Sequence, residues 1–389
     1  MGQNGHMIRR PSRKAIWSLA LLLMLSILGG DTLGTGTVPA QAAQPYVFSI
    51  YSWHVENFPT GWPHALRSAF GRRQALNDSV PVIRTYFESS ATVTSLQDSI
   101  ARADPGGERS MLERQLEEAV RQHNDHRSTA ERAVADMISQ ELFDQRLTTR
   151  IVFKEVLWPP LYFRISEMPS ILVVSPRGHI QISETHLLAP EISSAEIERL
   201  EQTIDQRGLS SLVEDLGGVA TYPSLLPEGV QLQQLLEVAS HEWVHHHLYF
   251  RPLGRNYWKN GDMTTLNETV ADLVGRELGA VLYRKYFESA PKTTTPASAA
   301  TVAAEVVFDF NAAMRETRVT VERMLTEGKV EEAEEYMEQR RQVLAENGYS
   351  IRKLNQAYFA FHGSYAERPG SVSPIGGQVR AIREKSPTL

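Results

Sequence analysis

The sequence holds no cysteine in 389 residues. That absence excludes disulfide staples and every thiolate site, so any bound metal must be held by histidine, aspartate or glutamate. An excess of positive charge is missing too. The net charge of -6 offers no electrostatic footprint for nucleic acid, and no nucleic-acid partner is expected. A long apolar run is lacking as well: Ala15 to Leu28, "AIWSLALLLMLSIL", falls short of the roughly 20 residues that span a bilayer. No internal repeat is visible.

What is present is the composition of a globular protein. Hydrophobic residues make up 42% and charged residues 22%, enough for a core in one large domain or two ordinary ones. The apolar run follows Arg9, Arg10, Arg13 and Lys14, and the small-residue site Ala40-Gln41-Ala42 comes after it. This pattern reads as the core of a signal peptide, with an uncleaved membrane anchor as the rival, so residues 1–43 form a leader under either reading. Both place the rest of the chain outside the cytoplasm, secreted or tethered to a membrane through its N-terminal segment.

Residues 44–150 form the second region. "PYVFSIYSWHVENFPTGW" is aromatic-rich, and Trp53 and Trp62 suit either a membrane interface or packing on the body. Residues 89 to 147 carry helical spacing. They break at Asp104-Pro105-Gly106-Gly107, resume in "ERSMLERQLEEAVRQH", and start a further helix at a Ser128-x-x-Glu131 capping box, which predicts a helical hairpin or short bundle. From 151 the runs "LYFRI", "ILVVS" and "HIQIS" predict short strands, and "GGVATYPSLL" another extended piece. From Gln231 to about Ala366 the pattern is helical, interrupted by a low-complexity loop at 290–300. The tail, 367–389, is Pro/Gly/Ser-rich and expected to be irregular.

The chemistry concentrates in "ASHEWVHHHLYF", residues 239 to 250. On a helix, His241 and His245 lie one turn and about 40° apart, so both imidazoles can meet one ion. Glu242 lies about 100° round from His241, close enough to reach a water on that ion but poorly placed to ligate it. The flanking residues Leu235, Leu236, Ala239, Trp243, Val244 and Leu248 cover nearly the whole circumference, which predicts a buried helix. Buried histidines need partners. A candidate third ligand, Glu268, follows in "TTLNETVADLVGRELG", with Asp272 one turn on, able to fix a ligand histidine. Ala271, Gly275 and Gly279 leave one side of that helix small. The competing reading makes Thr265-x-x-Glu268 only a capping box.

"SHEWVHH" followed by "LNETVADLVG" resembles the gluzincin metallopeptidases, whose thermolysin-like members carry H-E-x-x-H and then N-E-x-x-x-D on the next helix. The resemblance implies one Zn2+ held by His241, His245 and Glu268, with Glu242 as general base and Asp272 behind a histidine. It also implies a peptide or protein substrate. The 22 residues between His245 and Glu268, 246 to 267, slightly exceed the family's usual spacing. "WPPLYF", "VVSPR", "GGVATYPS", "RPLGRNY" and "LNQAYFAFHGSYA" are similar to an uncharacterised bacterial family of exported or anchored peptidases, over most of 150–366.

For the oxyanion of such a reaction the candidates are Tyr365 and His362, with Tyr358 on the same helix. Asn267 could orient substrate or cap its helix, and "GGVATY" could pair with a substrate backbone. The expected fold is α+β and predominantly helical. A zincin-like core over 151–366 would place a small mixed sheet above the active-site helix and a helical C-terminal lobe beside it. A non-catalytic, zinc-stabilised envelope scaffold is the alternative function.

Overall fold

The computed structural model describes residues 36–71, 76–151, 153–288, 308–363 and 371–386. Tyr365, the low-complexity loop at 290–300 and the apolar leader run lie outside them. Among the described residues the chain is 65% helix, in twelve α-helices with seven short strands.

The N-terminal half is built from α1 (Val38–Ala43), α2 (Ile50–Ser68), α3 (Ser79–Arg102) and α4 (Gly107–Asp144). The α3–α4 pair is the expected hairpin, turning at Asp104 to Gly106. Its second helix runs unbroken through Ser128, where a new helix was expected. Nothing between His123 and Ser128 breaks a helix, and the buried Glu131 serves another purpose. It accepts the Ile165 amide at 2.8 Å and Arg164 Nη1 at 2.7 Å, tying a strand to the helix. The aromatic-rich stretch is helix α2 despite Pro59 and Pro63. Trp53 and Trp62 pack on the body: Trp53 Nε1 donates to Pro223 O at 3.2 Å, and Trp62 stacks on Phe58. The expected leader boundary at residue 43 is no boundary of the fold, because Ala43 is fully buried in α1 among Leu172, Leu188 and Leu200.

The strands are β1 (Thr149–Ile151), β2 (Lys154–Val156), β3 (Phe163–Ser166), β4 (Ser170–Pro176), β5 (Glu184–Leu188), β6 (Leu209–Asp215) and β7 (Ser224–Pro227), with α5 (Ser194–Asp205) before β6. They do not form the single mixed sheet expected. β1 and β2 make a hairpin, β3 and β7 a parallel pair, and β5-β4-β6 an antiparallel sheet. The connection at Glu167 to Pro169 separates β3 from β4, and the two strands belong to different sheets. "HIQIS" precedes the fifth strand instead of forming it: Ser183 N donates to Val174 O, and pairing starts at Val174↔Glu184.

The antiparallel sheet is covered on both faces. Leu172, Val174 and Val213 meet α1 and α5, while Val173 and Leu212 meet Ala357 and Phe361 of α11 (Gln356–His362). This alternation follows from side chains pointing to opposite faces along a strand. The parallel pair instead lies against α6 (Leu232–Tyr249). After α6 come α7 (Pro252–Arg255) and α8 (Gly261–Tyr286), then a hairpin of α9 (Phe310–Thr326) and α10 (Val330–Glu346) with its own core around Met314, Val321, Met337 and Leu344. The tail is not irregular throughout. Ile375–Glu384 forms α12, and Arg383 pairs with Glu277 of α8 at 2.7 Å.

Candidate metal centre

α6 is buried nearly all round, with Leu235, Leu236, Ala239 and Trp243 at 1% exposure or less. Trp243 fills the core and still satisfies its indole, donating to Pro159 O at 2.9 Å. α8 begins at Gly261, capped by Asn260, whose side chain accepts the Met263 amide. Thr265 is therefore inside the helix, and the capping-box reading of Thr265 and Glu268 does not describe this terminus. The two helices approach closely on the small face of α8. A Cβ on Gly275 would stand 2.8 Å from Glu237 O and 3.0 Å from His241 Cβ.

That approach gathers three donor atoms. His241 Nε2 and His245 Nε2 are 2.9 Å apart, and Glu268 Oε2 lies 3.6 Å and 3.5 Å from them. A tetrahedral ion with bonds of about 2.0–2.1 Å sets its ligands about 3.3 Å apart, so the triangle matches one zinc to within a few tenths of an ångström. The back of each imidazole is committed to an oxygen. His241 Nδ1 donates to Asp272 Oδ1 at 3.0 Å, and His245 Nδ1 donates to Asn267 Oδ1 at 2.8 Å. With both Nδ1 atoms protonated, the neutral rings turn two Nε2 lone pairs and a carboxylate oxygen toward one point. Only a cation, or a shared proton, relieves that crowding of negative density. The three residues could hold a metal ion.

The charge balance agrees. Burial would lower the His241 pKa, but the Asp272 and Glu268 carboxylates outweigh it and raise it to about 10. His245 is likewise raised, burial being outweighed chiefly by Glu268. Burial pushes Glu268 up, yet the two histidines hold it well below the usual carboxylate range. Glu242 is raised, chiefly by burial. Its Oε1 would stand 2.2 Å from a Cβ on Gly218, so the segment after β6 approaches this carboxylate closely because residue 218 has no side chain.

Two residues enter that the motif did not name. Tyr257, on the connection after α7, donates its hydroxyl to Glu268 Oε1 at 2.5 Å and sets its ring edge-on to His245. Glu268 thus turns Oε2 toward the two imidazoles while Tyr257 holds Oε1. The other is Gly218. The only sequence signals were an aromatic hydroxyl in the short loop joining the two ligand helices, and a Gly-Gly pair before a strand. Asn267 backs His245, and the cap of its helix is Asn260 instead. His362 lies on α11 against the antiparallel sheet, with Nε2 3.8 Å from Glu214 and its ring 4.2 Å from that of Tyr358. Val219, in the stretch expected to pair with substrate, already exchanges both backbone hydrogen bonds with Leu225. His246 lies edge-on to Tyr222, and burial lowers its pKa to about 4. His247 turns toward Trp158 O. Comparison with known proteins finds no matching family model and no similar curated protein or solved structure.

Proposed function

We propose that the chain is a zinc-dependent peptidase with a zincin-like site. It hydrolyses peptide bonds outside the cytoplasm, as the leader-like N-terminus suggests. One observation carries the reading: His241, His245 and Glu268 point donor atoms at a common centre, and a buried carboxylate that is not a ligand, Glu242, follows the first histidine. A structural site has no use for that fourth group, whereas hydrolysis needs a proton carrier. Bound zinc supplies Lewis-acid polarisation of a carbonyl and makes water acidic enough to attack near neutral pH. Glu242 takes the proton from the attacking water and passes it to the leaving amine. Its buried position raises its basicity toward the range in which both transfers are efficient. Asp272 and Asn267 hold the rings, and Tyr257 holds Glu268, so that the ligands keep one geometry through the reaction.

The test is zinc content and turnover of the purified chain on a mixed peptide library, for the parent and for Glu242→Gln. The expected result is unchanged zinc with turnover lower by about 10²–10⁴-fold. A parent that binds zinc but cleaves nothing would favour the non-catalytic scaffold, and a variant as fast as the parent would remove Glu242 from the chemistry.

A further inference from the structure

Away from the metal centre, one helix is apolar on two sides. The inner side of α2 buries His54 and Ala65. Its outer side carries Tyr51 at 55% exposure, Val55 at 59% and Leu66 at 38%, and Phe70, just past its end, is 58% exposed. At 100° per residue these four fall within a stripe about 100° wide, where a helix facing water carries polar groups. The β1–β2 hairpin adds Ile151 and Phe153, the latter 88% exposed. It springs from the same corner, since Leu157 N, just past β2, donates to Ala69 O at 2.9 Å.

We infer that this corner rests on the surface of a phospholipid bilayer, with α2 lying in the headgroup plane and Phe153 as a second anchor. The inference goes beyond the peptidase reading and does not depend on the metal. Three observations select lipid as the occupant. No described helix is long and apolar enough to cross a membrane, so α2 can only lie along one. Exposed cations border the apolar stripe, Arg67 on α2 and Arg150 and Lys154 on the hairpin, in a chain whose net charge is -6. Glu56 and Glu155 are the exposed acids there. Cations at the edge of an apolar face match anionic headgroups. The third observation is in the sequence: the basic-flanked apolar run Ala15 to Leu28 precedes α2 in the same chain, so the chain that carries the stripe also carries a segment with bilayer chemistry. The bilayer face and the metal centre would share a wall, because the inner side of α2 covers Thr221 to Pro223, a few residues beyond the glycine that touches Glu242.

The absence of cysteine makes the test direct, since one introduced cysteine is the only label site. Full-length Val55→Cys and Phe153→Cys, with Val319→Cys on α9 as control (53% exposed in the parent), are labelled with an environment-sensitive fluorophore. Each is mixed with vesicles of phosphatidylethanolamine and phosphatidylglycerol. The expected result is a blue shift, and quenching by spin-labelled acyl chains, at positions 55 and 153 but not at 319. Three results would overturn the inference. Positions 55 and 153 could stay water-exposed on vesicles with which the chain co-sediments, leaving the N-terminal run as the sole contact. The chain could fail to co-sediment at all. Or both labels could be shifted before lipid is added in a chain that sediments as a dimer, making the occupant a second copy.

Discussion

Asp272 Oδ1 lies 3.0 Å from His241 Nδ1, one turn along α8 from Glu268. A single helix therefore supplies one candidate metal ligand and the group that orients another. Its other oxygen faces Arg276 at 3.7 Å, a half-exposed pair one turn further along the helix. Removing the carboxylate in Asp272→Ala leaves His241 free to rotate and to change tautomer. The expected cost is about 10–100-fold in zinc affinity, measured by competition with a chromophoric chelator. Asp272→Asn, which keeps an accepting oxygen, should lose less. Equal losses in the two variants would mean that charge, and not orientation, is what Asp272 supplies.

The contact between α6 and α8 depends on absent side chains. In Gly275→Ala the new methyl meets Glu237 O at 2.8 Å and the His241 amide nitrogen at 3.1 Å. These are backbone atoms and cannot turn aside. Overpacking of this kind costs about 1–3 kcal/mol, and His241 moves with its helix. A lower melting temperature together with weaker zinc binding is expected. Gly377→Ala in α12, where a Cβ would meet nothing within 4 Å, is the control and should change neither.

The grouping of His241, His245 and Glu268 was legible because the three lie on two helices whose angular spacing can be read without tertiary information. His241 and His245 face one way by periodicity alone, and the small residues at 271, 275 and 279 mark where a neighbour must approach. Tyr257 and Gly218 were not legible, since each reaches the site from a loop whose path is set by packing elsewhere. Asn267 sits beside Glu268 in sequence, yet its partner is decided by how far α8 is rotated against α6. The fold was readable as helical. Its sheets were misjudged because strand-like runs do not announce their partners: β3 looks like a neighbour of β4 but pairs with β7, about 60 residues later, in the register Phe163↔Ser224. The prolines of "ENFPTGWP" do not end the helix that carries them, which packs on Tyr162 and Tyr222.

Gly218 tests how tightly Glu242 must be held. A Cβ there would lie 2.2 Å from Glu242 Oε1 and 2.8 Å from Val238 Cγ1, and the carboxylate is the group able to give way. Gly218→Ala should displace Glu242 by about an ångström and leave the ligand triangle in place. A misplacement of that size costs on the order of 10²-fold in turnover. Zinc content should not change. Loss of zinc in this variant would show that the segment after β6 supports the ligands themselves.

Acid and zinc compete for the same atoms, which sets the direction of the pH dependence. His241 is raised from 6.5 to about 10 in the metal-free fold. Its protonation therefore contributes stability that is fully present below pH 6.5 and is lost as pH rises through about 10. Zinc needs both Nε2 lone pairs free, so binding must expel that proton, and each one expelled penalises binding by about 1.4 kcal/mol for every pH unit below its pKa. As pH rises from about 6 to 8.5, the metal-free protein should lose stability while zinc binding strengthens. The difference in melting temperature between the zinc-loaded and the chelator-treated chain should widen across that range, as followed by scanning calorimetry. A difference that stays constant or narrows would mean that His241 carries no extra proton in the metal-free protein.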